Sequence, residues 1–250
     1  MNFRSLPVMC WLVLPAAFAV AAEAGEPTTF LARPAALAFA DDFERTEIGD
    51  KWKTSRDEYA IKDGVFITGQ LPAHGHPAVC RLSVPLRDAV VTFRFKLNGA
   101  RGLTLVLNDS DWKQSHAGHI CRAGVTLSGV TLGDDKEGRM KFGIYEKWKD
   151  PATKAEVERL VKDRSTSVPH ALEAGKWYAM TVEFVGDEML TSIDGRPVAY
   201  LKSPGFAHPT KNYWGFTTSG QYAEVDDLKA WHAEPDAEWP ARRTKLFPAK

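Results

Sequence analysis

Short stretches of alternating hydrophobicity, cut at regular intervals by turn residues, run through most of this chain and restrict its fold more than any other feature. Val91, Phe93, Phe95 and Leu97 alternate with Thr92, Arg94 and Lys96, and Leu103, Leu105 and Leu107 repeat the pattern. A period of two places alternate side chains on opposite faces of a half-buried strand. Tyr59 to Ile61 and Val65 to Ile67 flank Lys62-Asp63-Gly64, a hairpin signal in which Gly64 takes a positive φ. Met180 to Phe184 leads through Gly186-Asp187 into Met189 to Ile193, and Asp194-Gly195 turns the chain into Val198 to Leu201. The last strands are expected over 214–218 and 224–231. Many short strands with few helices predict an all-β sandwich or jelly roll of two antiparallel sheets, and argue against a Rossmann fold or an α/β barrel.

One segment breaks the pattern. Pro151 to Arg164 carries Ala155, Val157, Leu160 and Val161 among charges, with Pro151 suited to a first helical turn, and is expected as a short helical insertion. Residues 1–24 read as a signal peptide: Arg4 precedes the apolar run from Val8 to Val20, and Ala22 and Ala24 set a cleavage site before Gly25. That run is short for a bilayer span, and no second one follows, so no membrane span is expected after cleavage. Residues 25–36 read as a linker, 37–233 as the folded domain and 234–250 as a loosely attached tail. The expected location is secreted or periplasmic.

Acidic and basic residues balance at 32 each, which argues against nucleic acid as a partner. Beyond the leader only Cys80 and Cys121 remain, and in an exported chain such a pair is expected as a disulfide between neighbouring strands. Two buried thiols are the other reading.

The opening Phe39 to Arg45, with Gly49 to Trp52 and Ile61 to Val65, resembles the start of concanavalin A-like jelly-roll domains. The closer resemblance is to the 3-keto-disaccharide hydrolase domains, related to family 16 glycoside hydrolases, and it covers most of residues 39–232. Those domains carry an Asn-Ser-Gly stretch ending in Arg, and Ala117 to Arg122 occupies that place here. The resemblance implies a carbohydrate ligand and cleavage of 3-keto-glycosides with a divalent metal. The chain departs from the family at Ser219-Gly220 and at Val225 to Leu228, where a His-Gly pair and a Phe-Arg-Asn run are expected.

The run His116 to Arg122 holds the candidate catalytic residues His116, His119 and Arg122. On a regular strand His119 and Cys121 share one face and Arg122 takes the other, so His119 and Arg122 compete for the site. His and Cys suit a transition metal, while packing and loop capping are the structural alternative. His74 and His76 form a second pair, expected to join these at one rim. Arg81, Arg94 and Arg122 are expected to project from strands, with Trp112 and Trp148 as stacking platforms, the equipment of a sugar site. No Glu-x-Asp-x-x-Glu run is present, so two-carboxylate glycoside hydrolysis is not expected. Asp42, Gly64 and Asp226, beside Asp41, are candidates for a structural calcium site. Asp109, Asp111, Asp134 and Asp135 read as turn caps. Three functions stay open: a glycoside-cleaving enzyme, a lectin-like module and a structural envelope protein.

Overall fold

The computed structural model describes residues 27–54 and 58–248, so the leader expected at 1–24 lies outside the described residues. Thirteen strands are formed: β1 (Ala32–Asp41), β2 (Trp52–Thr54), β3 (Tyr59–Lys62), β4 (Val65–Thr68), β5 (Ala78–Leu82), β6 (Ala89–Asn108), β7 (His119–Thr126), β8 (Gly129–Asp134), β9 (Ser165–Pro169), β10 (Trp177–Val185), β11 (Glu188–Ile193), β12 (Arg196–Lys202) and β13 (Tyr213–Pro235). Every pairing is antiparallel. The architecture is the expected all-β jelly-roll sandwich.

Two long strands build both layers. The first half of β6 pairs with β10 and its second half with β7, while β13 runs beside β6 along its whole length. The first layer is therefore β12-β11-β10-β6-β13-β1, the second is β9-β8-β7-β6-β13-β5-β2, and the β4-β3 hairpin joins β13 between β5 and β1. The bend between them falls at Gly99 (φ 89°) and Gly220 (φ 82°), where the β6–β13 register also shifts. A Cβ on Gly220 would stand 2.6 Å from the Arg101 amide nitrogen, so only glycine lets the strands cross there. The inward residues of both layers form one core, in which Trp52 stacks on Phe66 at 5.1 Å and Phe93 meets Phe216 edge-on at 5.0 Å. The turns read from sequence form as expected: Asp63 and Gly64 both have positive φ, as do Asp194 and Gly195, the conformation a two-residue hairpin requires.

The structure departs from the sequence reading in three places. Pro151 does not open a helix; it separates two, α1 (Ile144–Lys149) and α2 (Lys154–Leu160). The ring disfavours helical geometry at the preceding residue, and Asp150 is extended (φ −87°, ψ 117°). The segments taken as linker and tail are tied down. Ala32 pairs with Pro235, and α3 (Trp239–Leu246) sets the buried Trp239 against Leu31, Val90, Val185 and Leu190. Buried Glu183 accepts the backbone N–H groups of Phe30, Leu31 and Ala32.

Cys80 and Cys121 are both free. Two strands, β13 and β6, lie between them: Cys80 faces Phe216, Phe216 faces Leu105, and Cys121 pairs with Leu107. At about 4.8 Å per strand this separation is far beyond the ~7 Å Cα limit for a bridge. The expected disulfide is replaced by two buried core thiols, both pushed up to about 12 by burial.

Candidate functional site

The outer face of the second layer is where the predicted polar residues meet. Cys121, Ala123 and Val125 of β7 enter the core, so Arg122, Gly124 and Thr126 point outward. Strict alternation would send His119 inward with Cys121. Instead the β6–β7 register slips: Leu107 pairs with Cys121 but Asn108 with His119, leaving Ile120 as a bulge. Ile120 and Cys121 both join the core. The extra residue reverses parity and returns His119 to the side of Arg122. The expected competition between the two side chains is thereby removed.

Across the strands one transverse row reads Lys53, Arg81, Gly215, Val106, Arg122, Gly133 and Ser165. The next row carries Tyr213, Asn108 and His119. Glycine inside a strand marks a close approach, and Gly133 does so here: the Arg122 guanidinium lies across it, 3.1 Å from where a Cβ would stand.

Arg81 is 3% exposed, yet no carboxylate among the described residues pairs with it. Its guanidinium donates to the Cys80 and Phe216 carbonyls and to the Thr217 hydroxyl, and its Nε has no partner. Burial lowers its pKa to about 10. His119 has an unpartnered buried Nδ1, and its pKa falls to about 3 through burial first, then the charges of Arg81 and Arg122. The imidazole is therefore neutral at physiological pH. His116 and His76 press it in the same direction, and His116 stands beside it. His74 turns away to Glu58, at 2.5 Å. The His116 ring stacks parallel between His119, at 6.2 Å, and Tyr145 of α1, at 4.2 Å.

Arg122 is paired with Asp135, which is 1% exposed. It shares a small hollow with Arg139, Val161 and Arg164, so the α1–α2 insertion roofs this end of the face. Asp135 and its neighbour Asp134 are more than turn caps. Asp134 holds Ser203 and Gly205 at 2.5 and 2.9 Å, while Asp135 serves Arg122 and leaves Oδ2 unpartnered. Sequence reasoning missed Asn108, Tyr213 and Asp135 as members of the face. Only the glycines at 133 and 215 hinted at it.

The remaining candidates lie elsewhere. Arg94 projects from the first layer, where it rests over Trp177 at 4.9 Å and pairs with Asp226 at 3.3 Å; it does not join Arg81 and Arg122 in one row. Trp112 is no open platform. It packs on the core edge, 5.1 Å from His208, with Lys136 over its ring at 4.8 Å. Trp148 belongs to α1 and carries Arg139 at 5.2 Å, at the border of the roof.

Of the calcium candidates, Asp42 caps the Glu44 amide, and it is the Glu44 carboxylate that stands against Gly64. Asp226 has a raised pKa, from burial first; the Asp227 amide and Arg94 hold it down, and the Asp227 and Glu44 charges push it further up. An excess of oxygen donors over one cation fits a hard ion. Among the described residues no three His, Cys, Asp or Glu side chains converge to hold a metal, at this place or at His116 and His119.

A cleft of about 760 Å³ lies between β1 and the loop before β2. Its central carboxylate, Asp41, is already held by Arg45, the Trp52 indole and the Phe43 amide. Volume alone does not make it the better site: of the ten buried side-chain polar atoms without a partner among the described residues, four, on Arg81, Asn108, His119 and Asp135, belong to the second-layer face.

No protein-family signature matches the chain, and no curated protein sequence does. Solved structures are similar in fold. The apo Crh5 transglycosylase superimposes with a TM-score of 0.53 at 16% identity, over 84% of this chain and 89% of that one. SCLam, a non-specific endo-β-1,3(4)-glucanase from family GH16, gives 0.52 at 12% identity over 84% and 97%. A protein of unknown function with a galectin-like fold from Bacillus subtilis gives 0.55 at 13% over 82% and 100%. At these identities the likeness establishes the jelly-roll sandwich fold and nothing finer.

Proposed function

We propose that the outer face of β7-β6-β13-β5 binds a glycan, and that the protein is an exported, secreted or periplasmic carbohydrate-binding protein. The observation that carries this reading is the group of buried polar atoms without protein partners: Arg81 Nε, Asn108 Oδ1, His119 Nδ1 and Asp135 Oδ2. Each such atom costs about 1–3 kcal/mol if left unmet, and the mixture of donors and acceptors matches sugar hydroxyls, which do both. The sandwich is also one on which a transglycosylase and an endo-glucanase are built. Binding is favoured over two-carboxylate hydrolysis. Of the carboxylates described at this face, Asp135 is tied to Arg122 and its chain neighbour Asp134 to Ser203 and Gly205.

Cleavage of a 3-keto-glycoside is the second reading. It is supported by the resemblance over residues 39–232 and by the neutral His119, an imidazole able to donate to a keto oxygen beside two guanidinium groups. A glycan array followed by calorimetry tests the first reading, with His119→Ala and Asn108→Ala expected to weaken binding at least about tenfold. Absence of any glycan ligand overturns it. Turnover of 3-keto-glucosides, measured with and without chelator, decides the second.

A further inference from the structure

We infer that the glycan held by this face is anionic, carrying the carboxylate of a uronic acid, an inference that rests on the glycan reading above. The chain as a whole is neutral, but this face is not. Arg81, Arg122, Arg139 and Arg164 belong to it or to its roof, against two carboxylates, Asp135, which pairs with Arg122, and Asp134, which lines the same hollow. Arg81, Arg139 and Arg164 form no ion pair among the described residues: Arg81 donates to carbonyls and a hydroxyl, Arg139 rests on Trp148, and Arg164 reaches the Ser203 hydroxyl at 3.4 Å. Asp134, the other acid nearby, is turned to Ser203 and Gly205.

A buried cation without a counterion is costly, and the cost is relieved by an anion brought in with the ligand. Arg81 is more than nine-tenths buried and keeps Nε free, on a floor made low by Gly215. A guanidinium presents paired N–H donors in the spacing of a carboxylate's two oxygens. His119 does not compete for the anion's charge but stays neutral next to it, free to donate to or accept from a ring hydroxyl. Neutral sugars need no such concentration of arginine. A sulfate ester offers the same charge and acceptor oxygens, and the experiment separates the two.

The full chain is titrated calorimetrically with oligogalacturonate, its fully methyl-esterified form, oligoglucuronate, oligomannuronate, a sulfated galactan oligomer and neutral gluco-oligosaccharides. At least one uronate is expected to bind tenfold or more tighter than the neutral sugars, and oligogalacturonate tighter than its ester. The advantage should shrink between about 50 mM and about 500 mM salt. Arg81→Gln is expected to abolish it and Arg81→Lys to keep part. Should Arg81→Gln fail to fold, Arg139→Ala and Arg164→Ala at the roof are each expected to reduce it. Equal affinity for charged and neutral forms overturns the inference while leaving the glycan reading intact. A sulfated oligomer binding tighter than every uronate overturns the carboxylate. No binding by any sugar overturns both.

Discussion

His119 and Arg122 stand on the same side of β7 although they are three positions apart, because Ile120 is an extra residue in the ladder. That bulge turns a stretch of ordinary strand into a surface where an imidazole and two guanidinium groups meet.

The ion pair between Arg122 and the almost fully buried Asp135 makes Arg122 structural as well as positional. Arg122→Ala leaves a buried carboxylate unanswered, a change of about 3–5 kcal/mol in comparable settings. A clear fall in melting temperature is expected, so loss of ligand binding in this variant is informative only beside a melt. An unchanged melting temperature argues that Asp135 finds another donor.

Glu183 gives the fold a pH dependence of definite sign. Burial pushes its carboxyl up to about 7, against the three backbone N–H groups that favour the anion. Between about pH 4.5 and 7 the folded chain holds a proton that the unfolded chain has released, so this group's contribution to stability falls as pH rises and levels off above 7. Urea titrations at pH 5 and pH 8 are expected to differ in that direction, and Glu183→Gln to narrow the difference. A difference of opposite sign that depends on Glu183 refutes the assignment.

The two core cysteines are expected to be invisible to redox conditions. A reductant should change neither the mass nor the melting temperature. Both thiols should react with a thiol reagent only after denaturant is added, since burial keeps them protonated. Rapid labelling of the native protein runs against this.

Calcium is expected to raise the melting temperature by a few degrees, by relieving the repulsion among Asp226, Asp227 and Glu44. Asp226→Asn should remove the calcium response. A response that survives Asp226→Asn places the ion elsewhere.

The turns at Asp63-Gly64 and Asp194-Gly195 were legible because their signal lies within two residues. The alternation of Phe93, Phe95 and Leu97 was legible for the same local reason. What escaped depended on partners distant in sequence. Cys80 and Cys121 have similar neighbours along the chain, but only the strand order shows β13 and β6 lying between them. Residues 25–36 look like a linker until Glu183, some 150 positions away, takes their amides. The bulge at Ile120 has no marker in residue type, and without it the alternation rule puts His119 on the wrong side. Arg81 and Arg122 were visible as strand arginines, whereas the loneliness of one and the pairing of the other were not.

β13 runs through the middle of both layers and is the last strand in the chain. As the polypeptide is made, neither layer can close around its centre until this segment has emerged, and β1 must wait for a partner some two hundred residues behind it. The nascent chain thus carries β6 with an open edge along its whole length from the completion of Asn108 until Tyr213 and the residues after it are made. Pairings so remote in sequence are slow to form and expose strand edges to aggregation meanwhile. A chain cut short before Tyr213 would not be a smaller version of this sandwich; it would lack the strand that joins one layer to the other.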